Sequence, residues 1–317
     1  MVKKVTDLVQ GIEEGKEGPL ARALTLVENR ESGYRELLDA IYPLITPCPI
    51  WGLTGAPGVG KSTITNFLAG ELVEKGEKIA IIAVDPTSPF SGGALLGDRV
   101  RMMDLAGKPG VFIRSMASRG ALGGLSPAIL DAIALFQAFQ VDRIIVETVG
   151  VGQSETDIVG LADSVTVVMM PGTGDDVQTI KAGLLEIGDI FAVNKADLEG
   201  AETLAGLLQS MLSSRTEEGQ SHQPPVLKMI ASQGNQLEQL LQEFFRHQEY
   251  LNRGDLKEKK ERMRGEMALK MHLQARFQDL FLGPLLGSKE WEQALKSITG
   301  REKSPAYWAE KMIPGSD

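Results

Sequence analysis

Apolar residues recur at intervals of three and four near the start of the chain. Leu20, Ala23, Leu24 and Val27 form one such series, and Leu37, Leu38 and Ile41 form another. This spacing lines one face of a helix, so residues 5–42 read as a small helical layer without strand-like runs. Pro43, Pro47 and Pro49 break that pattern, and Ile50-Trp51-Gly52-Leu53-Thr54 then reads as a short buried strand. Further strand candidates alternate with helical stretches: Lys78–Val84, Val111–Met116, Arg143–Val146, Val165–Met170, Ile190–Val193 and Val226–Ile230. Continuous apolar runs separated by helices predict an α/β domain with a mainly parallel sheet and helices on both faces. After about Gly254 the strand signals stop. Leu256, Met263, Met267 and Met271 follow at seven, four and four within a charged segment, the mark of an amphipathic helix or helix pair. The expected organisation is a helical segment over 1–46, the α/β domain over 47–253 and a helical extension over 254–317.

Composition narrows the chemistry. The chain of 317 residues carries a formal net charge of -9, which argues against general affinity for nucleic acid or anionic lipid. A phosphate ligand would need a local positive site. Cys48 is the single cysteine, and His222, His247 and His272 lie far apart, so neither a disulfide framework nor a zinc site is expected. No apolar run approaches the roughly 18 to 20 residues of a bilayer span, and Asp7 interrupts any apolar signal core at the start. The expectation is a soluble, cytoplasmic protein.

The stretch Gly55-Ala56-Pro57-Gly58-Val59-Gly60-Lys61-Ser62-Thr63 fits GxxxxGK[ST] between a strand and a helix, the context a P-loop requires. Backbone N–H groups and the positive end of the following helix would cradle the β-phosphate. Lys61 would reach β- and γ-oxygens, and Ser62 would offer its hydroxyl to Mg²⁺. Asn194-Lys195-Ala196-Asp197 follows the strand candidate Ile190–Val193. An aspartate there can accept from guanine N1–H and N2–H₂ while the Lys195 stem covers the base. ATP would leave that carboxylate unpaired, at a cost of roughly 2 to 4 kcal/mol.

Three carboxylates stand where magnesium ligands could be: Asp85 and Glu147 at strand ends, and Asp98 in a loop-to-helix segment. Ordinary strand-end or helix-capping carboxylates would look the same. Glu147-Thr148-Val149-Gly150 can sense a γ-phosphate, because the Gly150 N–H approaches with no side chain in the way. No glutamine follows Gly150 directly to orient water, which predicts slow intrinsic turnover and a partner that completes the site. In a parallel sheet these elements fall together beyond the carboxyl ends of the strands.

With these motifs in view, the chain resembles the MeaB/ArgK/MMAA family of GTPases that act as chaperones of adenosylcobalamin-dependent methylmalonyl-CoA mutase. Besides the P-loop and the guanine loop, the resemblance rests on Val84-Asp85-Pro86-Thr87-Ser88-Pro89, on Gly92 through Arg99 with Arg101-Met102, on Glu147 through Glu155, and on Pro171-Gly172-Thr173-Gly174-Asp175-Asp176. It covers most residues from about 18 to 240. It implies a homodimeric P-loop GTPase using Mg²⁺ with GTP and GDP, whose nucleotide state gates cofactor delivery to, and protection of, a B12-dependent acyl-CoA mutase. The mutase in turn would accelerate hydrolysis. The resemblance also implies that Asp85, Asp98 and Glu147 surround the magnesium. Asp175, Gln178 and Lys181 would lie in a third switch coupling the partner to the nucleotide. Read without the resemblance, Asp175 and Asp176 are helix N-terminal carboxylates and Lys181 a solvated helix face.

Two departures from the family pattern matter. In Ile230-Ala231-Ser232-Gln233-Gly234-Asn235, Ala231 and Gly234 match the base-contacting loop but a first serine and a second glycine do not, so guanine selection rests mainly on Asp197. The C-terminal segment, a possible dimer arm, is only loosely similar, and its methionine stripe reads as dimer or intramolecular core. A nickel-type metallochaperone GTPase and a P-loop kinase are the alternative functions. The first lacks Cys/His ligands near the P-loop, and the guanine loop counts against the second.

Overall fold

The computed structural model describes residues 2–85, 105, 107–117, 125–148, 154–172, 183–215 and 223–313. Asp98, Gly150, Asp175, Gln178 and Lys181 lie outside them. The chain divides into two compact units, Met1–Gly265 and Glu266–Asp317.

The first unit opens with helices α1 (Val2–Glu13), α2 (Glu17–Glu28) and α3 (Tyr34–Ile41). Their heptad-like apolar positions are spent inward: Leu20, Ala23, Leu24, Val27, Leu37 and Ile41 are all buried. A turn of 3-10 helix at Tyr42–Leu44 carries Pro43, which ends the α-helical run. The strands and helices that follow are β1 (Ile50–Thr54), α4 (Lys61–Glu74), β2 (Ile79–Asp85), β3 (Val111–Ala117), α5 (Pro127–Ala138), β4 (Arg143–Thr148), β5 (Ser164–Met169), β6 (Ile190–Val193), α6 (Ala201–Arg215), β7 (Val226–Lys228) and α7 (Leu237–Leu251). The seven strands form one sheet in the order β3-β2-β4-β1-β5-β6-β7, and every pairing is parallel.

Strand ends differ from the expected ones for a pairing reason. Asp85 and Glu147 were expected just beyond their strands. Both belong to them, because the β2 ladder continues to Asp85 opposite Ala117 and the β4 ladder to Thr148 opposite Val84. The last strand stops at Lys228, and Ile230 instead bridges back to Asn235.

Side chains alternate across a strand, so one parity of each strand faces α4 and α7. On that face Trp51, Leu53, Ile79, Ile81, Ile145, Val168, Ile190 and Ala192 pack with Ile64, Leu68 and Leu72 of α4 and Leu240 and Phe244 of α7. Trp51 stacks on Phe244 with ring centroids 4.3 Å apart, and the Arg143 guanidinium lies 4.9 Å from the Trp51 ring while pairing with Glu77 at 2.5 Å. At the amino-terminal edge of the sheet, Ser164 Oγ lies 2.7 Å from His247 Nδ1, and His247 Nε2 lies 3.4 Å from Asp189 Oδ1. Asp189 Oδ2 also accepts the Val165 N–H at 2.8 Å. This serine, histidine and aspartate set is a buried polar anchor between α7 and the sheet, and the amide beside Ser164 is already spent.

Helix α8 (Leu256–Phe277) begins in the first unit and ends in the second, and none of its residues is buried. The second unit continues with a π-helical turn, Gln278–Leu282, and with α9 (Lys289–Thr299) and α10 (Pro305–Met312). Ser288 caps α9 by accepting from Trp291 N, and Ser304 caps α10 by accepting from Tyr307 N. Pro305 therefore starts a helix, where its fixed φ is already suitable. Among the described residues no helix is long and apolar enough to cross a membrane.

Candidate nucleotide site

The parity that buries apolar side chains against α4 delivers polar ones at the carboxyl edge of the same face. On β2 the series Ile79, Ile81 ends in Asp85. On β4 Ile145 is followed by Glu147, and beyond β6 Ile190 and Ala192 are followed by Asn194. Glu147 pairs in register with Ala83, so Asp85 stands on the neighbouring strand, two residues further along and on the same face. Asp85, Glu147 and Asn194 are all buried.

The loop between β1 and α4 enters this edge through two glycines at which any side chain would be strained. Gly55 has φ 139°, and a Cβ there would stand 2.0 Å from the Val168 carbonyl oxygen of β5. Gly60 has φ 99°, and its Cβ would meet Asn194 Nδ2 at 2.2 Å. The α4 amino terminus has no side-chain cap, which leaves its first N–H groups to face an anion. Lys61 is buried, with Nζ donating to the Gly55 and Ala56 carbonyls at 2.7 and 2.9 Å. Its charge is thereby held at the loop rather than in bulk water. Pro57, Gly58 and Thr63 are exposed, whereas the Val59 side chain sits in the core, so Val59 serves the loop through its backbone.

Ser62 Oγ donates to Glu147 Oε1 at 2.7 Å, and Thr65 Oγ1 donates to Glu147 Oε2 at 2.9 Å. Thr65 has no place in the P-loop motif. Its signal in the sequence was a polar residue four positions after Lys61 on an otherwise apolar helix face. The Ser62 hydroxyl and the Glu147 carboxylate meet at the loop, and Asp85 stands on the neighbouring strand; hard-oxygen donors of this kind could hold Mg²⁺ rather than a softer ion. Among the described residues no three His, Cys, Asp or Glu side chains gather to hold a metal by themselves.

Asn194 has a second role that its motif position conceals. Nδ2 donates to the Val59 carbonyl at 2.7 Å, and Oδ1 accepts the Ala231 N–H at 2.9 Å. One amide thus fastens the phosphate loop to the loop at 231–233. Lys195 adopts φ 55°, and the Ala196 N–H donates to the Met229 carbonyl at 3.0 Å. These contacts turn the chain so that Asp197 is exposed while Ala231 is buried.

Residues 20–283 match the family model described as "Methylmalonyl Co-A mutase-associated GTPase MeaB". The chain belongs to the MeaB family. A Pyrococcus abyssi relative is 44% identical over 315 residues, covering 98% of this chain and 95% of its own. The Escherichia coli "GTPase ArgK" is 39% identical over 240 residues, 73% of this chain and 72% of its own. A crystal structure of a "LAO/AO transport system kinase" superposes with a TM-score of 0.72 at 27% identity, covering 98% of this chain and 96% of that one.

As a MeaB-family protein the chain is a GTPase. Cys48 lies away from it, lining a cavity with Trp51, Asp163, Ser164 and Arg264 at the amino-terminal edge of the sheet. Burial pushes the Cys48 thiol up to about 12, with nearby Asp163 adding to the effect. A thiol held neutral in this way is a poor nucleophile.

Proposed function

We propose that the chain is a Mg²⁺-dependent GTPase switch that gates cofactor loading and protection of an adenosylcobalamin-dependent acyl-CoA mutase of the methylmalonyl-CoA mutase type. The mutase part of this reading is supported by the family description, and the printed name of a Caenorhabditis elegans relative, "Methylmalonic aciduria type A homolog, mitochondrial", agrees with it. The observation that carries the metal and switch part is Glu147. Its carboxylate is fixed to the phosphate-loop helix through Ser62 and Thr65, and it immediately precedes Thr148-Val149-Gly150.

Lys61 and the α4 amino terminus would hold the β- and γ-phosphates, with Gly150 sensing the latter. Ser62, Asp85, Asp98 and Glu147 would surround Mg²⁺, which would neutralise charge on the phosphate oxygens. Asp197 would read guanine, with Asn194 acting mainly by locking the two loops together. Asp175, Gln178 and Lys181 would couple the partner to the nucleotide, and turnover alone would be slow.

A homodimer is supported by an apolar strip, Leu269, Leu273, Phe277 and Leu280, spaced by four, four and three and 62%, 59%, 52% and 59% exposed. Such a strip is larger than scattered surface apolars and suits a second copy. A phosphotransferase reading has the printed name of the superposed kinase in its favour. It requires transfer of the γ-phosphate to a substrate rather than to water.

The reading is tested with purified chain and a purified B12-dependent mutase. A complex whose stability changes between GDP and a non-hydrolysable GTP analogue supports it. Absence of association in both nucleotide states would remove the mutase from the account.

A further inference from the structure

Thr65, like Lys61, is a polar residue on the buried face of α4, where its neighbours in the core are Ile64, Leu68, Ala69 and Leu72. A β-branched residue is a weaker helix former than alanine or leucine, so helix propensity does not explain it. The residue lies four positions after Lys61 and three after Ser62, which puts all three on one side of the helix. Its hydroxyl and that of Ser62 grip the two oxygens of one carboxylate, at 2.9 and 2.7 Å. Two donors on opposite oxygens fix the plane of that carboxylate. Ser62 has a single hydroxyl proton, and donating it to Glu147 turns the oxygen's lone pairs away from Glu147.

We propose that Thr65 is a positioning residue for the Mg²⁺ site: by holding Glu147 it fixes the direction in which Ser62 presents its lone pairs to the ion. This rests on the Mg²⁺-dependent reading above. With the Thr65 hydroxyl removed, Glu147 Oε2 loses this donor, and the plane of the carboxylate is no longer set by hydroxyls on both oxygens. Ser62 then follows the carboxylate instead of the ion. A purely structural role would have a different signature, because loss of a buried hydrogen bond would loosen the phosphate loop with or without metal.

The experiment measures affinity for a fluorescent GDP analogue in excess Mg²⁺ and in EDTA, for the full-length protein and its Thr65→Val and Thr65→Ser variants. The wild type should bind more tightly with Mg²⁺. Thr65→Val should reduce that enhancement about tenfold, the scale of one hydrogen bond to a charged group, with EDTA affinity kept within about twofold. Thr65→Ser should restore the enhancement. If Thr65→Val does not fold, Thr65→Ala carries the same expectation. An undiminished enhancement in the variant lacking the hydroxyl, an equal loss with Mg²⁺ and with EDTA, or no rescue by serine would each overturn the proposal. No enhancement in the wild type would instead overturn the metal reading beneath it.

Discussion

On the α4 face of the sheet, Trp51, Leu53, Ile64, Leu68 and Phe244 are fully buried by partners within the same unit. Along α8 and the turn after it, Leu269, Leu273, Phe277 and Leu280 keep more than half of their surface exposed. Both regions have helical or strand periodicity in the sequence, yet among the described residues only the first has its apolar positions buried. Asp85, Glu147 and Asn194 are the polar ends of strands whose remaining positions are locked in the core. Among the described residues the C-terminal strip has no such enclosure, and the proposed homodimer would cover it.

Truncating each kind of residue tests the contrast. Leu68→Ala should cost about 2 to 5 kcal/mol of unfolding free energy through the cavity it leaves. Leu273→Ala should cost less than about 0.5 kcal/mol in a monomeric sample, as an exposed position does. Denaturant unfolding at low protein concentration reads both. Leu273→Glu should also lower the mass seen by light scattering from dimer to monomer, and an unchanged mass would deny the strip its role.

Asp197 sharpens the comparison from the other side, since it is exposed and yet held by a buried frame through Asn194. Asp197→Asn should move preference from GTP toward xanthosine triphosphate by roughly 2 to 4 kcal/mol, read as competing affinities. Retained GTP preference would take base reading away from this residue. The smallest effect concerns Cys48. Its thiol should stay unreactive toward alkylating reagents at pH 8, because burial holds it protonated. The unfolded thiol ionises near 9.0 and the folded one near 12, so folding is favoured by the neutral form, and this contribution is present below pH 9 and lost as pH rises toward 12. Alkylation as fast as that of a free thiol would contradict the burial.

Much of this architecture was legible because it depends on local pattern. Ile50–Thr54 and Ile190–Val193 are strands over the residues their apolar runs mark. The glycines and Lys61 announce the phosphate loop by spacing alone. The ends of β2, β4 and β7 were less legible, since they are decided by neighbours in the ladder. The roles of Thr65 and Asn194 were hidden for a stronger reason: their hydrogen bonds join residues 82 and 135 positions apart. In the C-terminal segment the helix could be read from its period, while the exposure of Leu269, Leu273, Phe277 and Leu280 could not.

Hydrolysis under partner control decides the proposed function. Multiple-turnover phosphate release from GTP and Mg²⁺ should be slow for the purified chain and rise at least about tenfold with an adenosylcobalamin-dependent mutase. An identical rate with and without the mutase, or γ-phosphate appearing on another molecule instead of as free phosphate, would contradict it.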